Sequence, residues 1–154
     1  MKRFIASAAT FLVGGAIYCL IELAFRGYTA PSMFILAGCC ALVMAGLNNI
    51  FTYDMPFELQ VLLSSLACIG GEFITGMIVN RQFNIWDYRG LPGTFAFGQL
   101  NLFFCAAWVV LSIVGIPLLD YVEWKFMGDE QLPYYVVFGN MMNKRRIKYG
   151  KESN

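Results

Sequence analysis

The sequence of 154 residues contains no histidine and few charged residues. Histidine is the commonest general base and a common transition-metal ligand, so its absence disfavours both kinds of site. Charged residues make up 14% of the chain and hydrophobic residues 58%, whereas soluble domains carry about 25% charged residues. The net charge of +1 gives no indication of a nucleic-acid partner. This composition is typical of an integral membrane protein, and we expect no cofactor and no metal.

Familiar reactive motifs are also missing. The five cysteines lie inside apolar runs and form no CxxC pair, so we expect them to be small packing residues rather than a disulfide or metal site. The chain has no GxxxxGK[ST] loop and therefore cannot hydrolyse ATP alone. It also has no GxSxG nucleophile motif. The sequence therefore favours a protein that is not an enzyme.

Four apolar runs are long enough to cross a bilayer as helices, which takes about 20 residues each. They cover about 4–25, 32–51, 57–79 and 94–119. They predict an all-α membrane protein, a four-helix bundle contained in residues 1–127. The first run resembles a signal peptide, but its small residues at 6–9 precede the apolar stretch, so we expect a retained span. Pro117 is expected to kink or end the fourth helix.

The distribution of Lys and Arg predicts that both termini lie in the cytoplasm. With the N-terminus inside, eight of these residues lie on the inner side and three, Arg26, Arg81 and Arg89, on the outer side. Residues 128–154 then form a cytoplasmic tail, whose apolar part, 132–142, is too short to span and is expected at the interface. Its basic run, 144–148, either binds anionic lipid headgroups or is a solvated tail that only enforces topology.

Two carboxylates, Glu22 and Glu72, lie inside predicted spans. An ionisable residue within a span is costly and tends to face the bundle interior. Both belong to series of small or polar residues spaced four apart, and a third series on the second helix ends at Asn49. Small residues at this spacing let helices approach closely in lipid. The three series therefore predict close helix contacts, either within one chain or in a homo-oligomer or with a membrane partner.

Orientation places most polar side chains of the spans near the outer leaflet. Glu72 lies about 22 Å along the third helix, at 1.5 Å per residue. The long loop that follows and the predicted first turns of the fourth helix lie on the same side. The candidate ligand-binding cluster contains Glu22, Arg26, Glu72, Asn80, Trp86, Asp87, Tyr88, Arg89 and Gln99.

Structural explanations for parts of this cluster stay open. Glu22 has a partner for an ordinary ion pair one helical turn later, at Arg26. The loop aromatics have the character of interfacial anchors. Asp87 and Arg89 are close enough in sequence to tie down their own loop.

The run Asn84-Ile85-Trp86-Asp87-Tyr88, followed by Pro92 and Gly98-Gln99, resembles the bacterial type IV ABC-transporter permease family of small polytopic membrane proteins. The resemblance covers roughly residues 15–125. Thr94 stands where the family pattern has Asn. The resemblance implies a transport-like role in the bacterial cytoplasmic membrane, although the linker 52–56 is too short to dock an ATPase.

Three functions fit these residues. A transport-related component would use Glu22, Glu72 and Gln99 to line an outward-facing site for a cation, a proton or an amine. A lipid-modifying enzyme would use Glu72 or Asp87 as its acid or base and Arg89 to hold a phosphate. A non-catalytic scaffold or partner subunit would use the small-residue series for assembly. A polar pocket that reaches Glu72 from outside would favour transport, whereas a dry, packed interior would favour assembly.

Overall fold

Four long helices make up most of the protein in a computed structural model, which describes residues 2–51, 54–127 and 133–142. They are α1 (Lys2–Arg26), α2 (Pro31–Ile50), α3 (Phe57–Val79) and α4 (Leu102–Met127). Each is long and apolar enough to cross a membrane, which confirms the predicted four-helix membrane fold.

A glycine and a proline set the turn between α1 and α2. Gly27 has a φ of +78°, and its N–H donates to the Leu23 carbonyl at 3.0 Å, which ends α1 in a left-handed cap. Pro31 begins α2, where its fixed φ suits a helix and its missing N–H costs no hydrogen bond. The turn is therefore short, and α1 and α2 pack as neighbours.

α2 is the central helix of the bundle. It packs against α1, α3 and α4, and 50% of its apolar stretch is buried, compared with 11% for α1. Small residues bring α1 close to it, since a Cβ added to Gly14 would lie 2.3 Å from the Ala41 Cβ. Ala37, Ala41 and Ala45 of α2 are all buried, as their spacing predicts. α1 is therefore peripheral and leaves most of its surface for lipid or a partner.

The fourth helix begins and ends later than the sequence predicts. The prediction placed it at 94–119, whereas α4 runs from Leu102 to Met127. The residues before it form a small hairpin, in which β1 (Thr94–Phe95) pairs antiparallel with β2 (Leu100–Asn101) around a 3-10 turn (Ala96–Gly98). Gln99 and Asn101 therefore lie in the loop and not in the first turns of the helix.

Backbone conformation explains why α4 starts late. Ala96 and Phe97 have φ values of +49° and +59°, which a continuous right-handed helix does not allow. The Asn101 side chain then caps the helix, because its Oδ1 accepts the Phe103 N–H at 2.9 Å. At the other end Pro117 lies inside the helix and does not end it, as is common in membrane-spanning helices.

The last described residues form a second hairpin. β3 (Tyr135–Val137) pairs antiparallel with β4 (Asn140–Met142). Val136 forms a bridge with Pro56 in the turn between α2 and α3, and Tyr135 packs on Phe57 with ring centroids 5.2 Å apart. We call this the hairpin end of the bundle, and the end that carries residues 80–101 the loop end. The predicted basic run 144–148 lies outside the described residues.

Candidate functional site

Glu72 is a buried carboxylate on the inward face of α3, with 2% of its surface exposed. The Tyr88 hydroxyl donates to its Oε1 at 3.0 Å, and the Trp108 indole N–H donates to its Oε2 at 2.7 Å. The loop and α4 thus each supply one neutral donor. Among the described residues, no Lys or Arg forms an ion pair with Glu72. The other members of its predicted series are buried with it: Ser64, Cys68, Gly76 and Asn80.

Two stacked aromatic pairs surround this carboxylate. Tyr18 of α1 stacks on Trp108, with ring centroids 5.3 Å apart and planes 6° from parallel. Tyr88 stacks on Phe104 of α4, with centroids 4.6 Å apart. Such pairs contribute about 0.5–1.5 kcal/mol beyond their burial. They hold Tyr88 and Trp108 in the orientations that place both donors on Glu72.

Asn80 fixes the loop to the end of α3 and is 1% exposed. Its Oδ1 accepts the N–H groups of Ile85 and Trp86 at 2.9 and 3.3 Å, and its Nδ2 donates to the Trp86 carbonyl at 2.7 Å. Nδ2 also donates to Gln99 Oε1 at 3.1 Å, and Gln99 Nε2 donates back to the Asn80 carbonyl at 3.2 Å. The loop is therefore held in the conformation that brings its tyrosine to the buried carboxylate.

Gly76 leaves the space that the Gln99 side chain occupies. A Cβ at this position would lie 2.5 Å from Gln99 Oε1 and 3.1 Å from Trp86 Cζ2. The Trp86 indole N–H in turn donates to the Gln99 carbonyl at 3.1 Å. The small residue thus serves contact between α3 and its own loop, rather than contact between two helices.

Glu22 forms a separate ion pair at the loop end. Arg26 Nη2 donates to its Oε1 and Thr29 Oγ1 to its Oε2, both at 2.5 Å. The Arg26 guanidinium also lies 4.5 Å from the centroid of the Tyr28 ring. The expected i,i+4 pair is therefore present, and it accounts for the burial of Glu22. No hydrogen bond joins Glu22 to Glu72 in the described part of the chain.

Asp87 and Arg89 bind each other at the surface, and neither is bonded to Glu72. Arg89 Nε and Nη2 donate to the two carboxylate oxygens of Asp87 at 2.9 and 2.7 Å. The Arg89 hydrogen bonds lower the pKa of Asp87 to about 2, and the same pair raises the pKa of Arg89. The Arg89 guanidinium also lies 3.9 Å from the centroid of the Phe83 ring. The structural explanation therefore fits these two residues.

Tyr88 serves Glu72 as a neutral donor. Burial raises the pKa of the Tyr88 hydroxyl above its ordinary value, and the charge and hydrogen bond of Glu72 raise it further. The positive charge of Arg26 lowers it by a smaller amount. Tyr88 therefore keeps its proton and donates it in the hydrogen bond to the carboxylate.

The sequence interpretation missed Trp108 and a third buried carboxylate, Asp120. Asp120 is 2% exposed, and both Asn48 Nδ2 and the Tyr135 hydroxyl donate to its Oδ2. The predicted fourth span ends one residue before Asp120, which places this carboxylate outside it. A series spaced four apart on α4 was the available signal, since all its members are buried: Trp108, Ser112, Ile116 and Asp120.

Polar contacts continue along the interface of α3 and α4 between Glu72 and Asp120. The hydroxyls of Ser64 and Ser112 are hydrogen-bonded at 3.0 Å. The Ser65 hydroxyl also donates to Ser112 Oγ, at 3.4 Å. Such contacts contribute to helix association in lipid, where apolar burial supplies little driving force.

An apolar cleft of about 190 Å³ lies between α1, α2 and α4. Tyr18 and Trp108 form part of its wall, but Glu72 does not line it. Among the residues that the structure describes, no group of three or more His, Cys, Asp or Glu side chains is placed to hold a metal ion.

Comparisons with known proteins leave the candidate site without a described counterpart. No family model, no curated protein and no solved structure matches this chain. The chain is therefore assigned as a small integral membrane protein with four apolar helices on its own composition and geometry.

Proposed function

We propose that the protein is a transport-related, permease-like membrane component whose working group is Glu72. One observation carries the proposal: a carboxylate buried inside a span has two neutral donors and no ion-pair partner among the described residues. A charged carboxyl at the centre of a span costs about 3 kcal/mol on insertion scales. A proton or a cation would remove that cost, and buried carboxylates of this kind are typical of ion and proton pathways.

The loop end supports this role because it covers the carboxylate with a separate element. Tyr88 and Trp108 each donate to one Glu72 oxygen, and Glu72 is only 2% exposed, so a ligand reaches it only when the surrounding side chains move. Tyr88 belongs to the loop and is held there through Asn80 and Gln99. We therefore place access to Glu72 at the loop end, through movement of the loop away from α3.

A flux assay with matched variants tests this proposal. The protein is reconstituted in liposomes, and proton entry is followed with a pH-sensitive dye under an imposed potassium gradient, then repeated with Na⁺ and with methylamine. Glu72→Gln should abolish flux and keep the fold, because the amide can accept from Trp108 and donate to the Tyr88 oxygen. Asp87→Asn is the control, since it removes an exposed carboxylate from the same loop and should leave flux unchanged.

Two results would contradict the proposal. One is flux in Glu72→Gln equal to that of the unmodified protein. The other is an unmodified protein that conducts none of the three probes, together with a Glu72→Gln variant whose only defect is earlier thermal unfolding in detergent. The second result would assign Glu72 to structure.

Assembly is the second candidate function, and the closed packing around Glu72 favours it. Both oxygens of Glu72 accept hydrogen bonds from neighbouring side chains, and Glu72 does not line the apolar cleft. The peripheral α1, with 11% of its apolar stretch buried, offers a surface for a partner or a second copy. Oligomer size in detergent, measured by light scattering, distinguishes this candidate from a monomeric carrier. The lipid-modifying enzyme has less support, because its candidate phosphate ligand, Arg89, is paired with Asp87.

We also propose that the protein lies in the bacterial cytoplasmic membrane with both termini inside. The Lys and Arg distribution and the resemblance to the type IV ABC-transporter permease family support this orientation, which places the loop end outside. Cysteines introduced at positions 2 and 150 should both be protected from an impermeant reagent in intact cells. Labelling of only one of them would contradict a chain with four spans.

The basic run 144–148 is proposed to bind anionic lipid on the inner surface. Each Lys or Arg near an anionic surface contributes about 1 kcal/mol. Neutralising the four basic residues of this run should release a tail peptide from vesicles that contain phosphatidylglycerol. Unchanged binding would show that the tail is simply solvated or held by apolar contacts.

A further inference from the structure

We propose that the cleft between α1, α2 and α4 binds one acyl chain of a bilayer lipid. The cleft has a volume of about 190 Å³, and all its lining residues belong to helices of membrane-spanning length. None of the lining residues is charged, and the indole N–H of Trp108 is already bonded to Glu72. The inference concerns a lipid site beside the proposed working group and does not depend on flux through Glu72.

The chemistry of the walls selects an apolar occupant. Apolar cavities of about 150 Å³ stay free of water and take up ligands the size of benzene. This cleft is larger, and the side chains that line it carry few polar groups: the Tyr18 hydroxyl, the Cys40 thiol and the Trp108 N–H, which is bonded to Glu72. The medium around α1 and α4 in a membrane is hydrocarbon, so an acyl chain is the apolar group available to fill the space.

The shape of the cleft fits a chain that remains part of a lipid. α1 and α4 make little direct contact, which leaves space between them, and Gly14 and Gly115, which pack against α2, also line this space. Val114 and Leu118 line the cleft and are 60% and 48% exposed, so they form its mouth on the lipid side. A helix of a second copy is about 10 Å across with its side chains and is too wide for this space.

One wall of the cleft is connected to the buried carboxylate. Trp108 lines the cleft, stacks on Tyr18 and donates to Glu72 Oε2 at 2.7 Å. An acyl chain in the cleft would therefore pack against the same indole that holds Glu72. Trp108 lines the cleft and is otherwise well buried, with 4% of its surface exposed, so quenching of its fluorescence reports a chain in the cleft.

Quenching by brominated lipids tests the proposal on the full chain. Trp124→Phe is used as the background, because Trp124 is half-buried at the other end of α4, and the remaining Trp86 is 2% exposed within the loop network. In liposomes of phosphatidylcholine brominated in mid-chain, Trp108 emission should fall. Val114→Phe in this background should lose most of that quenching, because the larger side chain fills the mouth.

The matched control is Val110→Phe on the same helix. Val110 is 59% exposed, like Val114 at 60%, but it does not line the cleft, so quenching should persist. If Val114→Phe fails to fold by circular dichroism, Leu118→Phe replaces it.

Three results would overturn the proposal. They are no quenching in the background protein, equal quenching in the mouth and control variants, and quenching that disappears as the protein-to-lipid ratio rises. The last result would assign the cleft to a second copy. Because quenching is measured at Trp108 and flux depends on Glu72, failure of one proposal leaves the other standing.

Discussion

Replacing Gly76 by alanine should destabilise the protein, although alanine is the better helix former. Gly76 lies in α3 beneath the Gln99 side chain, and a Cβ there would lie 2.5 Å from Gln99 Oε1. The contact forces Gln99 away from Asn80, so both of their mutual hydrogen bonds are lost. The Trp86 ring, 3.1 Å from the same Cβ position, limits any movement to that side.

Opposing terms decide the size of this effect. Alanine in place of glycine gains about 1 kcal/mol of helix propensity. Overpacking costs about 1–3 kcal/mol, and each lost hydrogen bond costs about 0.5–1.5 kcal/mol. Central values give a net loss of about 3 kcal/mol in the free energy of unfolding.

Gly70→Ala is the matched control for this prediction. Gly70 lies on the same helix, but a Cβ there meets nothing within 4 Å, so only the propensity term applies. Gly70→Ala should therefore be neutral or more stable by up to about 1 kcal/mol. Unfolding of both variants in mixed micelles with increasing dodecyl sulfate, followed by circular dichroism, gives the two free energies. If the variants have equal stability, the close packing of Gln99 on α3 is not present in the protein.

Three further changes have defined outcomes. Asn80→Ala leaves two backbone N–H groups of the loop without acceptors and should lower the free energy of unfolding in the same assay by about 2–4 kcal/mol. A loss no larger than that of a typical surface substitution would contradict the hydrogen bonds between Asn80 and the loop. Tyr135→Phe removes one donor from Asp120 and should speed proteolysis near the C-terminal hairpin, whereas an unchanged cleavage rate would show that this bond does not hold the hairpin. Arg89→Ala should return the pKa of Asp87 from about 2 toward its ordinary value, read by NMR titration. Because that pKa is depressed, the ion pair stabilises the fold above pH about 4, and this stabilisation is lost as the pH falls toward 2. The free energy of unfolding of the variant should therefore be lower than that of the parent only above that range.

The spans and the inward face of α3 could be predicted from the sequence because both depend on local periodicity. Hydropathy over about 20 residues defines a span, and the small residues spaced four apart around Glu72 define a face that packs. The Glu22–Arg26 pair was also predictable, since residues one turn apart on a helix are neighbours.

The identity of the residues that contact Glu72 depends on packing between distant segments, which the sequence pattern does not reveal. Trp108 lies in an apolar run, where an indole has the pattern of a packing residue, and only the crossing of α3 and α4 reveals its donor. In the loop, the sequence predicts Asp87, Tyr88 and Arg89 together in the polar cluster. Adjacent side chains point to different sides, however, and of these three only Tyr88 turns toward Glu72. The late start of α4 depends on positive φ angles at Ala96 and Phe97, residue types that rarely adopt them.

The C-terminal hairpin has a consequence for the order in which the protein is made. Asp120 emerges from the ribosome within the last span, before the tyrosine that completes its hydrogen bonds, and until then Asn48 is its one described donor. Residues of the hairpin also bond carboxylates in and beside the turn between α2 and α3, Asp54 and Glu58, which are synthesised much earlier. The hairpin therefore joins the turn between α2 and α3 to the end of α4 only after all four helices have been synthesised. A nascent chain that stops at the end of α4 has its four apolar helices in place, but Asp120 at the hairpin end still lacks the Tyr135 donor.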